Sequence, residues 1–217
     1  MRASTASLVL TVLLGIVPAP AWSKEETTTA QAEKAQPATD AKPAVPASSV
    51  TRHQAIIDGK AVKYTATVGW FILKDPKDNP IARFGYTAYT LDGVKDLTQR
   101  PVTFAFNGGP GSSSIWLHMG IMGPRRVVVN DGGYAPPPPS QVVDNAFSPL
   151  SVTDIVMIDP VGTGFSKPLG DAKPADFHGV DEDIRSVAQF IKRYVSENGR
   201  WGSPKYVLGE SYGGMRG

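Results

Sequence analysis

Cysteine is absent from the 217-residue chain, and its absence excludes several kinds of chemistry. Without thiols there is no disulfide, no thiolate-bound metal and no cysteine nucleophile. An excess of charge of one sign is also lacking, since 22 Lys and Arg residues against 20 Asp and Glu residues give a formal net charge of +2. We therefore expect no nucleic-acid partner, because such binding requires a dense basic surface.

Long apolar runs are lacking as well, and this bears on the membrane. The apolar stretch at residues 8–17 has only about half of the ~20 residues that a spanning helix requires. It follows Arg2 and precedes the small-residue pattern Ala19-Pro20-Ala21. This arrangement predicts a cleaved signal peptide over residues 1–21. We expect an exported protein, periplasmic or secreted, with no stable membrane anchor.

Large apolar residues are nearly missing from residues 22–50, which consist mainly of Ala, Pro, Thr, Lys, Glu and Gln. Such a composition predicts a disordered linker, since it offers little to bury against a core. The folded domain is then predicted over residues 51–217. The hydrophobic content of the whole chain, 41%, is sufficient for a sizeable core.

Two kinds of strand are predicted in this domain. Residues 64–73 and 84–91 are rich in β-branched and aromatic residues and flank a turn-forming stretch, which predicts an antiparallel hairpin. Short apolar runs follow at residues 102–106, 155–158 and 206–208, as is typical of strands buried on both faces of a parallel sheet. An apolar stripe with helical spacing over residues 180–195 predicts a helix between the last two runs. The order predicts an α/β fold.

Glycine-rich loops end all three apolar runs, so we expect the loops to converge beyond the carboxyl ends of the strands. Their sequences are N-G-G-P-G-S at 107–112, D-P-V-G-T-G at 159–164 and G-E-S-Y-G-G at 209–214. The third contains G-x-S-x-G, which is typical of a sharp strand-to-helix turn that exposes a nucleophilic serine, here Ser211. The alternative is a glycine-rich turn with an incidental serine.

The first loop provides backbone N–H groups that no side chain blocks, as stabilisation of an oxyanion requires. A second donor is expected at the residue after the nucleophile, Tyr212. A phosphate site is disfavoured, because neither Lys-Ser/Thr nor G-x-G-x-x-G accompanies these loops. We expect neither a metal nor a cofactor.

Taken together, the loops resemble the serine carboxypeptidase family, peptidase family S10. The matching stretches, in this order, are F-N-G-G-P-G-S-S-S at 106–114, G-P at 123–124, D-P-V-G-T-G-F-S at 159–166 and G-E-S-Y-G-G at 209–214. The resemblance extends over residues 64–217 and implies the N-terminal part of an α/β-hydrolase fold. It also implies a peptide substrate from which C-terminal residues are released through an acyl-enzyme.

The resemblance assigns roles to six residues. It makes Ser211 the nucleophile, places the oxyanion donors at the amides of Gly109 and Tyr212, and implies that Asn107, Gly108 and Glu210 bind the substrate's C-terminal carboxylate. Contact between two carboxyl groups requires that one be protonated, and acidic conditions favour this.

Other functions remain open. Ile121 stands where many family members carry a Glu of the carboxylate-binding network, so a broader peptidase or an esterase remains open. The alternative to the carboxypeptidase is an esterase or an acyltransferase on the same scaffold. A non-catalytic exported binding protein is a third.

No Asp or His follows Ser211 in the sequence, although this fold places both after the nucleophile. We therefore expect the 217-residue chain alone to lack hydrolase activity, and to fold poorly because a half-built sheet leaves an unpaired edge. His118 lies in an apolar segment and is predicted to be a packed structural histidine. His178, just before the predicted helix, is expected at the helix start or in solvent.

Overall fold

The computed structural model describes residues 48–130 and 136–217. The predicted signal peptide, residues 1–21, lies outside the described residues, as does the predicted linker up to residue 47. Within the described ranges, none of the helices has the length and apolar character needed to cross a bilayer.

A seven-stranded mixed sheet forms the centre of the described fold. The strands described, in chain order, are β1 (Ser49–Ile57), β2 (Lys60–Lys74), β3 (Pro80–Leu91), β4 (Val102–Phe106), β5 (Arg125–Val127), β6 (Val142–Asp144), β7 (Asp154–Ile158), β8 (Lys167–Pro168) and β9 (Lys205–Gly209). The order across the sheet is β1-β2-β3-β7-β4-β9, with β8 paired to β3, while β5 and β6 form a separate two-stranded sheet.

The pairing changes from antiparallel to parallel across the sheet. Strands β1, β2, β3 and β7 pair antiparallel in that order, whereas β4 pairs parallel with β7 on one side and with β9 on the other. The predicted hairpin followed by parallel strands is confirmed. The connection from β7 to β9 passes over β4, so the two strands that the helix joins are parallel but not adjacent.

Three α-helices are described: α1 (Ile115–Leu117), α2 (Val180–Glu197) and α3 (Gly213–Arg216). A π-helical turn, His118–Met122, continues α1, and 3-10 turns lie at Pro149–Ser151 and Pro174–Phe177. The long helix α2 carries Asp181, Glu182 and Asp183 in its first turn, where acidic side chains complement the helix dipole.

An aromatic core joins α2 to the sheet. Phe190 of α2 is fully buried, and its ring centroid lies 5.0 Å from that of Phe84 and 5.3 Å from that of Phe71. Tyr194, one turn later, packs edge-on against Phe104 of β4. The predicted apolar stripe of this helix is therefore the face that covers the sheet.

Two expectations about the strands are wrong. The predicted linker ends at residue 50, but Ser49 and Val50 already pair with Val68 and Thr67 in β1. The first six residues of β1 are exposed, so the apolar alternation that predicts a strand is missing there.

The second concerns β9, which was expected to be buried on both faces. Tyr206, Val207 and Leu208 are 58%, 47% and 37% exposed, because in the part of the chain described β9 is the last strand of the sheet. The other two apolar runs behave as predicted, since every residue of β4 and β7 is buried.

A buried ion cluster lies where the parallel strands begin. Asp154 at the start of β7 accepts hydrogen bonds from the Arg100 Nε at 3.1 Å and the Arg200 Nη1 at 2.5 Å. A third bond comes from the Leu91 N–H at 3.0 Å. This cluster joins four segments at the amino ends of the parallel strands. The glycine-rich loops follow the carboxyl ends of the same strands.

Candidate active site

Ser211 lies at a sharp turn between β9 and α3 and has a φ of 57°. This left-handed conformation costs a non-glycine residue about 1–3 kcal/mol and is kept only where the surroundings enforce it. The flanking glycines show how tight the turn is. A Cβ on Gly209 would lie 2.0 Å from the Gly213 carbonyl oxygen, and one on Gly213 would lie 2.8 Å from the Phe106 carbonyl oxygen. The G-x-S-x-G pattern thus forms the strand-turn-helix that it predicts.

The first glycine-rich loop lies directly against this turn. Because Phe106 and Gly209 are partners in the parallel ladder, the loops after β4 and β9 emerge side by side. A Cβ on Gly108 would lie 2.5 Å from the Tyr212 amide nitrogen and 2.6 Å from that of Gly213. Glycine is required at residue 108 because any side chain would separate the two loops.

Several backbone amides at this junction donate no backbone hydrogen bond to the described residues, and those of Gly109 and Tyr212 are the predicted oxyanion donors. Neither the Gly109 N–H nor the Tyr212 N–H donates a backbone hydrogen bond within the described ranges. Gly109 has a φ of 110°, a conformation that favours glycine and turns the peptide away from the strand direction. Free amides beside an exposed serine are what stabilisation of an oxyanion requires.

An open cleft of about 470 Å³ lies over Ser211 and Gly109, whereas Gly108 and Tyr212 are not among its lining residues. Its lining combines polar residues from both loops with three apolar ones: Asn107, Gly109, Ser112, Trp116, Leu117, Ile121, Glu210 and Ser211. The structure therefore brings Ser211 and Gly109 to one cleft, together with Asn107 and Glu210.

Asn107 and Glu210 are hydrogen-bonded to each other. The Asn107 Nδ2 donates to the Glu210 Oε2 at 3.0 Å, and the Asn107 Oδ1 accepts from the Leu117 N–H at 3.0 Å. The second bond fixes which end of the amide faces Glu210. Asn107 is buried whereas Glu210 is exposed, so the carboxylate can reach a ligand in the cleft while the amide holds it.

The second glycine-rich loop does not line this cleft, although all three loops were expected to share one pocket. Its Asp159 accepts hydrogen bonds from the Ser114 N–H at 2.9 Å and from the Phe165 N–H at 3.1 Å. A Cβ on Gly164 would meet the Asp159 carboxylate, so the loop is folded around this side chain. The loop therefore supports the segment after Asn107 from behind.

The three histidines of the chain all lie in the described ranges, and none lines the cleft. His118 is hydrogen-bonded through Nε2 to the Tyr89 hydroxyl, which agrees with the predicted structural role. Burial lowers the pKa of His118, and Asp159 opposes this shift. His53 stacks on Tyr64, and His178 is exposed after the 3-10 turn Pro174–Phe177. The structure thus brings no histidine to Ser211.

Sequence reasoning missed two cleft residues, Trp116 and Leu117. The Trp116 side chain is 70% exposed even though it lines the cleft. An apolar segment directly after a glycine-rich loop was the only indication of these residues in the sequence. Ile121, singled out for its place in the sequence, lies at the same wall and is 61% exposed.

A sequence model of the serine carboxypeptidase family matches residues 87–216. The chain belongs to the serine carboxypeptidase family. The match includes all three glycine-rich loops and the turn at Ser211, so the family resemblance expected from those loops is confirmed.

Individual serine carboxypeptidases show the same likeness. Serine carboxypeptidase-like 8 of Arabidopsis thaliana is 30% identical over 132 residues, which are 58% of this chain and 28% of that protein. Pheromone-processing carboxypeptidase KEX1 of Saccharomyces cerevisiae is 31% identical over 148 residues, which are 65% of this chain and 19% of that one. The chain thus spans less than a third of the length of these relatives.

A solved serine carboxypeptidase supports the fold. The crystal structure of KEX1(delta)P, a prohormone-processing carboxypeptidase from Saccharomyces cerevisiae, superposes with a TM-score of 0.55 at 25% sequence identity. The superposition covers 69% of this chain and 31% of that one. The predicted α/β-hydrolase fold is therefore confirmed for the N-terminal part of the sheet.

Proposed function

We propose that this serine carboxypeptidase family member releases C-terminal residues from peptides, with Ser211 as the nucleophile. The observation that supports this most strongly is the position of Ser211. It is held at a φ of 57° in the same cleft as Gly109. The amides of Gly109 and of Tyr212, the residue after Ser211, donate no backbone hydrogen bond among the described residues.

The reaction uses these groups in two steps. The Ser211 Oγ attacks the carbonyl carbon of the last peptide bond, and the amides of Gly109 and Tyr212 donate hydrogen bonds to the oxyanion. The C–N bond then breaks, the serine proton passes through a base to the leaving amine, and an acyl-enzyme remains. Water hydrolyses this ester and restores the Ser211 hydroxyl.

Recognition of the substrate C-terminus is assigned to Asn107, Gly108 and Glu210. The Asn107 Nδ2 already holds the Glu210 carboxylate, which faces the cleft. A substrate carboxylate can bind there when the two carboxyl groups share one proton, since otherwise their charges repel. Binding of a free C-terminus should therefore strengthen as the pH falls.

The base and its orienting carboxylate are not among the residues described around Ser211. No Asp or His follows Ser211 in the sequence, and the three histidines lie away from the cleft. We propose that the 217-residue chain alone does not turn over substrate. We also propose export, on the strength of the signal-peptide pattern at residues 1–21.

The test compares peptides that differ only at the C-terminus, using the full-length gene product. A peptide with a free carboxylate should be cleaved at least ~100-fold faster than its amide, because the amide cannot share a proton with Glu210. Ser211→Ala should abolish hydrolysis and labelling by a fluorophosphonate. Glu210→Gln should reduce the difference in cleavage rate between the two peptides. It should also make that difference depend less on pH.

Equal rates on both peptides would contradict exopeptidase activity and support the second candidate, an esterase or acyltransferase. The observation that favours this candidate is the apolar wall of the cleft, formed by Trp116, Leu117 and Ile121. Short apolar esters should then be cleaved faster than any peptide. A folded product that no fluorophosphonate labels would exclude both and leave a non-catalytic binding protein.

A further inference from the structure

Arg216 is a buried arginine five residues after Ser211, and only 1% of its side chain is exposed. Its Nε and Nη2 both reach the Asp183 Oδ2 of α2, at 2.9 and 2.8 Å. The Asp183 side chain is 7% exposed, so both members of the pair are removed from water. The pair joins the first turn of α2 to the short helix that follows the nucleophile.

The remaining contacts of Arg216 are with residues next to the cleft. Its Nη1 donates to the Asn107 carbonyl oxygen at 2.7 Å. The guanidinium carbon lies 5.2 Å from the ring centroid of Phe106 and 5.4 Å from that of Tyr212. One side chain therefore contacts the end of β4, the start of the first glycine-rich loop and the residue that follows the nucleophile.

These contacts bear on the distance between two amides. The Asn107 carbonyl is two residues from the Gly109 amide, and Gly108 between them lies against the Tyr212 amide. A planar guanidinium bonded in a fixed fork holds its partners at defined positions. Arg216 thus contacts both the loop after β4 and the turn at Ser211.

Stability alone does not account for a charged pair at this place. The attraction within a buried ion pair offsets little more than the free energy lost when both charges leave water. Apolar residues of similar volume are therefore often as stabilising. The geometric specificity of the pair is what an apolar replacement would lack.

We propose that Arg216, oriented by Asp183, is a positioning residue that aligns the amides of Gly109 and Tyr212 as the two oxyanion donors. The proposal rests on the proposed function, since the alignment matters only if Ser211 forms an oxyanion. It does not make Arg216 a catalytic residue, because the guanidinium lies behind the loop and does not contact the cleft.

The test measures kcat and KM in the full-length protein, with active sites counted by a fluorophosphonate so that only folded enzyme is scored. Arg216→Met should lower kcat by about 100-fold, as expected when reacting groups are displaced by about 1 Å, with KM changed less than about threefold. Arg216→Lys should recover part of the loss, because lysine can still donate to the Asn107 carbonyl but cannot form the fork. Asp183→Asn should lower kcat by about 10-fold.

Arg200→Met provides the matched control. Arg200 is also a buried arginine paired with an aspartate, Asp154, but it lies at the amino ends of the parallel strands, away from the cleft. This variant should lower the thermal midpoint while leaving kcat per labelled site within about twofold of wild type. If Arg216→Met fails to fold, Arg216→Lys and Asp183→Asn decide the question.

The outcomes separate the two proposals. Unchanged kcat in the Arg216 and Asp183 variants, together with loss of hydrolysis in Ser211→Ala, overturns the positioning role alone. Full hydrolysis by Ser211→Ala overturns the proposed function and the positioning role with it. Equal losses of kcat in the Arg200 and Arg216 variants would show a general effect of stability and would also overturn the positioning role.

Discussion

Gly108 illustrates how one absent side chain shapes the cleft. The two amide nitrogens that a Cβ at residue 108 would meet belong to backbone, which cannot move aside as a flexible side chain can. The loop after β4 and the turn at Ser211 can approach this closely only when residue 108 has no side chain. The proximity of the Gly109 amide to the serine depends on that approach.

Gly108→Ala should therefore lower kcat/KM by about 100-fold or more, because the proposed oxyanion donors are pushed apart. The measurement is hydrolysis of the free-carboxylate peptide by the full-length protein. Gly214→Ala is the matched control, since a Cβ there meets nothing within 4 Å. Wild-type activity in Gly108→Ala would show that the loop does not need to lie against the turn.

Residues that belong to a pattern could be predicted, and isolated ones could not. Ser211, Gly109 and Asn107 lie in motifs whose spacing predicts a turn or a loop, and the structure brings them to one cleft. Arg216 belongs to no such pattern. Its partners, Asp183 and Asn107, are 33 and 109 residues away in the sequence, so only the fold reveals its contacts.

At the scale of single elements, α2 is the helix whose buried face packs on the sheet. Its buried side chains form one face, and Phe190 at the middle of that face contacts rings from β2 and β3. The first turn of this helix also provides Asp183, which is paired with Arg216 behind the first glycine-rich loop. Loosening α2 should therefore affect both stability and the site.

Phe190→Ala should lower the free energy of unfolding by about 3–5 kcal/mol, because it removes a ring that is fully buried and leaves a cavity. Chemical denaturation monitored by tryptophan fluorescence provides the measurement. Gln189→Ala, on the exposed side of the same helix, is expected to change stability by less than about 0.5 kcal/mol. Similar losses in both variants would mean that α2 is not anchored by this face.

The elements with strong periodicity were the ones that sequence could predict. The stripe of α2 and the continuous apolar runs of β4 and β7 each match one template. The first six residues of β1 match neither, since they are all exposed and are paired with β2 by hydrogen bonds, and buried residues alternate with exposed ones only at its end, at Ala55 and Ile57. Its exposed, polar start has the composition of the preceding linker, and for this reason the boundary was misplaced.

At the scale of the whole molecule, the described sheet ends in β9, whose residues 206, 207 and 208 are between 37% and 58% exposed. An exposed apolar edge strand offers unpaired N–H and C=O groups to other chains. The predicted burial of this strand was wrong within the described residues because burial depends on neighbours that a local pattern does not specify.

The 217-residue chain should therefore self-associate through β9, and Val207→Lys should reduce the association at least about fivefold. Sedimentation velocity over a range of concentrations measures it. Val50→Lys, at the exposed β1 edge on the other side of the sheet, is the control and should leave association unchanged. A monomeric wild-type chain at high concentration would contradict the expectation.

The ion cluster of Arg100, Asp154 and Arg200 has a consequence for synthesis of the protein. Its members are separated by 54 and 46 residues, and the carboxylate has both guanidinium partners only when Arg200 is available. While the chain is being translated, β4 and β7 can emerge from the ribosome and meet, but their starting ends remain unlocked until the segment after α2 has followed. A nascent chain halted before Arg200 should consequently be bound by chaperones and cut by proteases more readily than one halted just after it.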